Sequence, residues 1–488
     1  MSEVVDSRKA RTCHVPTILR WHEPGTSKEE KRLILKLDLC ILFYTCLSFF
    51  IKYLEQTSVT NAYVSGMQKD LHLHGKELNW ITTYYNIGII IGAPLSTPIL
   101  TVISPAYWLP CCTLLSSLFV LFMYKAQDVS TLYGLRFATG LFSSTIMAGS
   151  YYLIGSWYRR SEIHRRSAIF TASSFAGSMF SGYIQAGLYK SMNGVDGLAS
   201  WRWLFIFNAI LGIPVALIGF AFCPNEPWAK KPWWMTENER KISEMRLEEE
   251  GRHSTGRFDL SVLKRIFCSW QFYCFPIAYG MKELTCGTEM PRWMTLYLRS
   301  LRSYSTSQIN AIPTSVSCAE IVFTIAASVI ADWSRKPSLV IIGFGILQIY
   351  GYAVFTAWPG HDRAWLMSTY IIAGSGYSTI GPIVYGWAGS SCGGDKQLRA
   401  VTTAMVTTMG YVCETLTQQF FFPVDDAPAF KPTLGYAWGV SWTVASILFA
   451  SLAIPLCKRA FGVGFAAKEY ESDQEGSIEP SVELPNPK

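Results

Sequence analysis

Two glutamates interrupt long apolar runs of this sequence, where a charge needs a specific partner or a specific function. Glu320 and Glu414 stand well inside such runs. An ionised side chain in an apolar interior is costly unless it is paired or hydrated. Burial favours the neutral form of a carboxyl, so each glutamate could take up a proton in one place and release it in another. The alternative is a neutral glutamic acid that hydrogen-bonds to a nearby Ser or Thr.

Two basic side chains in apolar runs could bind a carboxylate. Lys52 precedes Glu55 by three residues, so both lie on one face of a helix. They could neutralise each other, or Lys52 could bind the carboxylate while Glu55 carries a proton. The alternative is that both lie at the outer mouth of a spanning helix. Arg136 offers a planar guanidinium that suits a carboxylate, and its alternative role is a structural bond to a backbone carbonyl.

Further polar side chains could contribute to a gate or to substrate binding. Lys282 and Glu283 lie near Gly280, Gly287 and a Met-Pro pair, a pattern that permits a discontinuous helix beside a cavity. We expect this charged pair to be part of a gate or, alternatively, a pair in an outer loop.

Two tyrosines, Tyr84 and Tyr377, could hydrogen-bond a hydroxylated substrate. Aromatic residues at helical spacing also serve as packing residues or as anchors at a membrane interface. Both readings stay open at this point.

No residue pattern typical of an enzyme accompanies these charges. The sequence has no C-x-x-C, no phosphate-binding G-x-x-x-x-G-K-[ST], no G-x-S-x-G and no H-E-x-x-H. We therefore predict no catalytic residue, no metal and no cofactor. The net charge of +7 would suggest a nucleic-acid partner only if the basic residues formed one patch. They are dispersed, and we predict no such partner.

The composition indicates which elements must position these side chains. The chain has 488 residues, of which 50% are hydrophobic and 16% are charged, whereas a typical soluble domain carries about 25% charged residues. A spanning helix needs about 20 mostly apolar residues. Twelve such runs lie near residues 37–56, 79–100, 105–124, 131–155, 167–189, 203–223, 266–286, 308–331, 338–358, 364–388, 400–422 and 435–457. The sequence therefore predicts an all-α membrane protein with 12 transmembrane helices, which has the lipid bilayer as a partner.

A long polar segment divides the twelve runs into two sets of six. We predict an N-tail at 1–32, a first six-helix half at 33–223, a linker at 224–264, a second half at 265–458 and a C-tail at 459–488. Basic residues concentrate in the tail, in the loop between the fourth and fifth runs and in the linker. Because basic loops stay on the cytoplasmic side, both termini are predicted to be cytoplasmic.

The linker carries a helix signal of its own. Thr236 followed three residues later by Glu239 has the pattern of a capping box. We predict a short amphipathic cytoplasmic helix after it, and the alternative is that the linker is only a tether.

Six plus six helices around a long cytoplasmic linker resemble the major facilitator superfamily, in which two halves enclose a midplane site. Specific segments sharpen the resemblance to its fungal anion:cation symporter branch, the allantoate permease family. They are residues 37–39 (LDL), 61–67 (NAYVSGM), 136–140 (RFATG), 155–158 (GSWY), 166–170 (RSAIF) and 201–205 (WRWLF). Within the branch, residues 52–54 (KYL), 177–182 (GSMFSG) and 193–199 look most like the pantothenate importers.

The resemblance implies a proton-coupled symporter that imports a small carboxylate vitamin, with pantothenate as the expected substrate. It also implies a fungal plasma-membrane location, and we expect a monomer. Alternatives are a transporter of another organic anion (biotin, nicotinate, allantoate or a secondary metabolite, with export included) and a nutrient receptor that does not transport.

The sequence departs from the family pattern at three places. The turn at 101–105 has no charge, whereas the equivalent turn of the second half keeps Asp332 and Arg335, which the resemblance assigns to gating. Many relatives have Asp-Arg where Glu55-Gln56 stands, and Glu where Ser143 or Ser144 stands. The last two departures touch expected binding positions and therefore bear on substrate choice.

Overall fold

The computed structural model describes residues 26–249, 260–334, 336–358, 362–392 and 396–461, and these ranges contain helices and turns but no strand. The helices of the first half are α1 (Lys28–Asp70), α2 (Glu77–Val102), α3 (Pro105–Phe122), α4 (Val129–Trp157), α5 (Arg160–Ser191) and α6 (Ser200–Phe222). The linker contributes α7 (Glu237–Glu248) and α8 (Leu260–Phe267). The second half has α9 (Gln271–Glu283), α10 (Met290–Ser300), α11 (Thr306–Ala311), α12 (Thr314–Ser334), α13 (Pro337–Ala357), α14 (Arg363–Ser391), α15 (Lys396–Phe420) and α16 (Gly435–Phe461).

The long helices coincide with the runs that the sequence predicts to span a membrane. Among the described residues, six stretches are by themselves long and apolar enough to do so: Lys28–Asp70, Pro105–Lys125, Ser200–Phe222, Thr306–Ala331, Pro337–Ala357 and Gly435–Phe461. The all-helical prediction is confirmed.

The seventh predicted run corresponds to a shorter helix in the structure, followed by a break and a second helix. We predicted one span over 266–286, but α9 ends at Glu283 and a short 3-10 turn leads into α10 at Met290. The break lies at Cys286, which has a φ of 54° and cannot continue a right-handed helix. Pro291 then occupies the first turn of α10, where its missing N–H is tolerated. The predicted discontinuity near Gly287 is therefore present.

Close helix contacts hold each half together. A Cβ atom at Gly140 of α4 would collide with the Tyr85 carbonyl of α2, and one at Gly177 of α5 would collide with the Phe50 carbonyl of α1. Glycine at these positions lets the paired backbones approach closely, as small residues do in membrane bundles.

The two halves meet at one end of the bundle, which we call the closed end; it carries the turns at 71–76, 192–199, 301–305 and 421–434. Asn79 of α2 donates hydrogen bonds to the carbonyls of Gln418 (2.7 Å) and Phe422 (3.0 Å). Asn310 of α11 donates to Ser65 of α1 at 3.0 Å. The opposite end carries the linker, and we call it the linker end.

The linker helix α7 packs on the first half at the linker end. Arg246 forms ion pairs with Glu162 at 2.6 Å and with Glu30 at 2.7 Å, and Lys36 pairs with Glu239 at 2.7 Å. The predicted capping box is present, because Thr236 and Glu239 bond to each other's backbone N–H groups. The linker is thus anchored to the first half along α7.

Candidate functional site

A cavity lies between the two halves, on the linker side of the closed end. Its walls come from α1, α4 and α5 of the first half and from α9, α14 and α15 of the second. The lining residues are Phe49, Tyr53, Gln56, Met147, Tyr151, Thr171, Ser174, Phe175, Tyr279, Lys282, Glu283, Thr288, Tyr377, Ser378, Gly381, Pro382, Tyr385, Thr407, Gly410, Tyr411 and Glu414. A concave site lined by aromatic rings and a few convergent polar groups is typical of small-molecule binding.

A buried ion pair forms one wall of this cavity. Lys282 Nζ lies 2.8 Å from Glu283 Oε1. The same ammonium lies 3.5 Å from the centroid of the Tyr377 ring, a cation–π contact. Tyr377 donates its hydroxyl hydrogen to Glu283, which also accepts from Thr288 at 3.2 Å. These contacts hold the Glu283 carboxyl beside the Lys282 ammonium.

Glu414 lines the cavity without such partners. Its side chain is only 4% exposed, and its Oε1 has no hydrogen-bond partner. It is nevertheless close enough to Lys52 and Lys282 to interact electrostatically with both. A buried carboxyl oxygen left without a donor is costly, so this side chain is suited to take a proton or to bond with a ligand.

Lys52 lies directly behind the cavity lining, in an aromatic environment. It is 1% exposed and donates to the Tyr411 hydroxyl at 3.2 Å. Its ammonium lies 5.2 Å from the Tyr53 ring centroid and 5.5 Å from those of Phe49 and Tyr411. Among the described residues, no carboxylate lies within ion-pair distance of it. The cation is therefore held by rings and one hydroxyl, and its charge is free to attract an anion.

Glu55 and Arg136 lie inside the first half, away from the cavity. Glu55 accepts from Ser117 at 2.7 Å and from Ser116 at 3.4 Å, and it does not pair with Lys52. Arg136 donates to the Glu55 backbone carbonyl at 3.4 Å and stacks over the Tyr85 ring at 4.4 Å. This arrangement matches the structural alternative for Arg136, and the expectation that Lys52 and Glu55 neutralise each other is wrong.

The remaining predicted residues lie at several places. Tyr84 stacks on Tyr133 at 4.7 Å and is not among the residues that line the cavity. Glu320 is buried in α12 and also lies outside the lining. Asp332 lies near the end of α12, but its side chain is not among the described parts, and Arg335 lies outside the described residues. The gating prediction for these two therefore stays a prediction.

Sequence reasoning missed one of the side chains that join the halves at the closed end. Arg292 is buried in α10 and donates to Asn79 (3.3 Å) and Thr82 (3.4 Å) of α2. Glu289 accepts from Arg292 at 3.3 Å and from Gln418 at 3.0 Å. The position of Arg292 just after the Met-Pro helix start is the sequence feature that could have indicated these contacts.

The cavity also contains residues that the sequence did not single out for a site. Tyr53 lines it from α1, and Tyr411 lines it from α15. In the part of the chain that the structure describes, no group of three His, Cys, Asp or Glu side chains could hold a metal ion. The cavity is thus equipped for binding through hydroxyls, amides and charges.

Two sets of membrane-spanning helices around a central polar cavity define a membrane transporter. A family model described as Major Facilitator Superfamily matches residues 45–416, and the chain belongs to this superfamily. It is therefore a transporter and not an enzyme. It has the all-α fold of two six-helix halves that the sequence predicts.

Curated relatives agree with this assignment. The chain is 43% identical over 456 residues to the MFS transporter PfmaC of Pestalotiopsis fici, covering 93% of this chain and 85% of that protein. It is 32% identical over 440 residues to the pantothenate transporter liz1 of Schizosaccharomyces pombe (88% and 82%). It is 30% identical over 439 residues to the pantothenate transporter FEN2 of Saccharomyces cerevisiae (87% and 85%). The predicted resemblance to pantothenate transporters is confirmed.

Proposed function

We propose that this chain is a proton-coupled symporter that imports a small carboxylate vitamin, with pantothenate as the substrate. Two relatives that are named pantothenate transporters, both at least 30% identical over most of the chain, support this substrate class. The same resemblance supports a fungal plasma-membrane location, and we expect the transporter to act as a monomer.

The proposal is carried by Glu414, a cavity-lining carboxyl with an oxygen that has no partner, close to Lys282 in the lining and to Lys52 behind it. With Glu414 ionised, its charge and that of Glu283 balance Lys52 and Lys282. With Glu414 protonated, the site keeps one unbalanced positive charge. A carboxylate substrate supplies the missing negative charge, so proton and anion bind favourably together. This reciprocal preference is the thermodynamic basis of symport.

The orientation of the chain indicates which side of the membrane each end of the bundle faces. Basic residues at the linker end support a cytoplasmic position for that end. The closed end would then face outside, and the structure would represent an inward-facing state. Breaking of the Arg292–Asn79 contact and closure of the linker end would make the cavity accessible from the outside again.

The proposed function is tested by uptake into a yeast strain that lacks its own pantothenate and biotin importers. Labelled pantothenate, biotin and nicotinate are supplied in parallel at acid and neutral pH, with and without a protonophore. We expect saturable pantothenate uptake that is faster at acid pH and is abolished by the protonophore. Pantothenate uptake that persists undiminished without a proton gradient would overturn the coupling.

A second candidate is transport of another organic anion, with export included. It is favoured by the departures from the family pattern at Gln56, Ser143 and Ser144. It is also favoured by the similarity to PfmaC, which is named an MFS transporter without a stated substrate. Failure of all three vitamins to enter cells, with the protein verified at the cell surface, would support this candidate. Loss of a preloaded carboxylate from such cells would identify an exporter.

A further inference from the structure

Gln56 of α1 is a cavity-lining residue whose amide oxygen has no hydrogen-bond partner. The residue lines the cavity, and its Oε1 is enclosed by protein without a hydrogen-bond partner. The family resemblance implies Arg at this position in many members, whereas this chain has a neutral amide. An amide oxygen accepts hydrogen bonds, which a guanidinium cannot do.

Glu414 presents a second unsatisfied oxygen from the opposite half. Its Oε1 is likewise without a partner, in a side chain that is 4% exposed. In either protonation state a carboxyl has an oxygen that can accept. A buried acceptor without a donor is costly, and both residues line the same cavity. The two oxygens without partners are therefore suited to a ligand that brings hydrogen-bond donors.

The surrounding groups favour a hydroxyl as that donor. Tyr53 lies three residues before Gln56, on the same face of α1, and both line the cavity. A substrate hydroxyl can donate to the Gln56 amide oxygen while it accepts from the Tyr53 hydroxyl. An N–H group can only donate, so it would satisfy Gln56 and leave the tyrosine without a partner.

We propose that the cavity selects hydroxylated carboxylates, with Gln56 and Glu414 as the acceptors for the substrate hydroxyls. This inference rests on the proposed function, because the lysines attract the carboxylate and the two acceptors bind the hydroxyls of the same molecule. Pantothenate carries two hydroxyls and a carboxylate, whereas nicotinate has no hydroxyl. The site therefore discriminates against carboxylates that carry no hydroxyl. Gln56 is the residue of the first half that determines this specificity.

The test compares matched carboxylates that differ only in their hydroxyls. One pair is pantothenate and an analogue that keeps the carboxylate and the amide but lacks both hydroxyls. The other pair is mandelate and phenylacetate. Binding to the purified full-length protein is measured by thermal stabilisation, so that the result does not depend on transport. The wild type is expected to bind the hydroxylated member about tenfold more tightly.

Three variants assign the discrimination to Gln56. Gln56→Leu is expected to reduce the preference to about twofold or less, since the acceptor is lost. Gln56→Glu keeps an acceptor and is expected to keep the preference. Thr57→Val is the matched control, because Thr57 bonds to Ser178 at 3.0 Å and does not line the cavity.

Each outcome bears on a different claim. Equal binding within both pairs, or an unchanged preference in Gln56→Leu, would overturn the inference while pantothenate transport could still stand. Discrimination within the mandelate pair without any binding of pantothenate would support the inference and overturn the proposed substrate. Absence of binding by all four compounds would overturn both.

Discussion

The ammonium group of Lys52 donates a hydrogen bond to the Tyr411 hydroxyl at 3.2 Å and so joins α1 of the first half to α15 of the second. This contact lies beside the cavity, between the halves that must move relative to each other during transport. A substrate carboxylate that draws the ammonium toward the cavity would weaken the contact. Substrate binding and movement of the halves are thereby linked at one side chain.

Replacement of Lys52 by methionine should weaken substrate binding. Lys52→Met removes a buried positive charge but keeps most of the side-chain volume, and we expect the KM for pantothenate to rise about tenfold or more. Tyr411→Phe is the control, because it removes the hydroxyl but keeps the ring; its KM should change about threefold at most. Uptake kinetics measure both, and an unchanged KM in Lys52→Met would contradict anion attraction by this lysine.

Loss of Arg292 should loosen the closed end. Arg292 donates to Asn79 and Thr82 across the two halves, and truncation of a buried charged donor typically costs about 2–5 kcal/mol. We therefore expect Arg292→Ala to increase the fraction of molecules with an open outer side. A cysteine introduced at the buried Thr83 reports this opening, since a membrane-impermeant maleimide should label it faster in Arg292→Ala.

The matched control for this experiment is Arg202→Ala, which removes an arginine at the same end whose bond to the Tyr124 carbonyl stays within the first half. Labelling is read by mass spectrometry of the peptide, because the chain has native cysteines. A labelling rate at Thr83→Cys that Arg292→Ala leaves unchanged would show that Arg292 does not hold the closed end.

Docking of the linker helix α7 should be sensitive to acid. Partial burial raises the pKa of Glu239, but hydrogen bonds from Lys36 and from Thr236 lower it by more, so its pKa lies below the ordinary 4.5. A lowered folded-state pKa means that the stabilisation is complete above the ordinary value and is lost as pH falls through the lowered one. The protection of residues 237–248 against hydrogen exchange, relative to the intrinsic rate at each pH, should therefore fall below about pH 4.5. Lys36→Ala should lower this protection at neutral pH already, and equal protection in both proteins would refute the role of this pair.

Much of the fold follows from the sequence because a membrane span needs a long apolar run. The predicted run at 105–124, for example, corresponds to the helix Pro105–Phe122. The polar helix α10 escaped prediction because hydropathy reports apolar length only. Its arginines are satisfied by partners on the first half, such as Asn79 for Arg292. Contacts between distant parts of a chain are not visible in a local pattern.

The sequence predicted which residue types form the site, but it did not predict which face of its helix each side chain occupies. Tyr84 and Tyr85 are adjacent, and about 100° around a helix separates neighbours. Tyr85 lies under Arg136, whereas Tyr84 packs on Tyr133. Lys52 and Glu55 are about 60° apart around α1, which is enough to direct one toward Tyr411 and the other toward Ser117. Sequence spacing alone cannot choose between such faces.

Protonation of Glu414 is the central claim, and Glu414→Gln tests it most directly because glutamine imitates the protonated side chain. The measurement is pantothenate-driven proton uptake into proteoliposomes, with exchange of labelled pantothenate followed in parallel. Glu320→Gln is the matched variant, a buried glutamate outside the cavity lining. We predict that Glu414→Gln abolishes proton movement and retains exchange, while Glu320→Gln retains both. Proton uptake that persists in Glu414→Gln at the wild-type ratio to pantothenate would contradict the account.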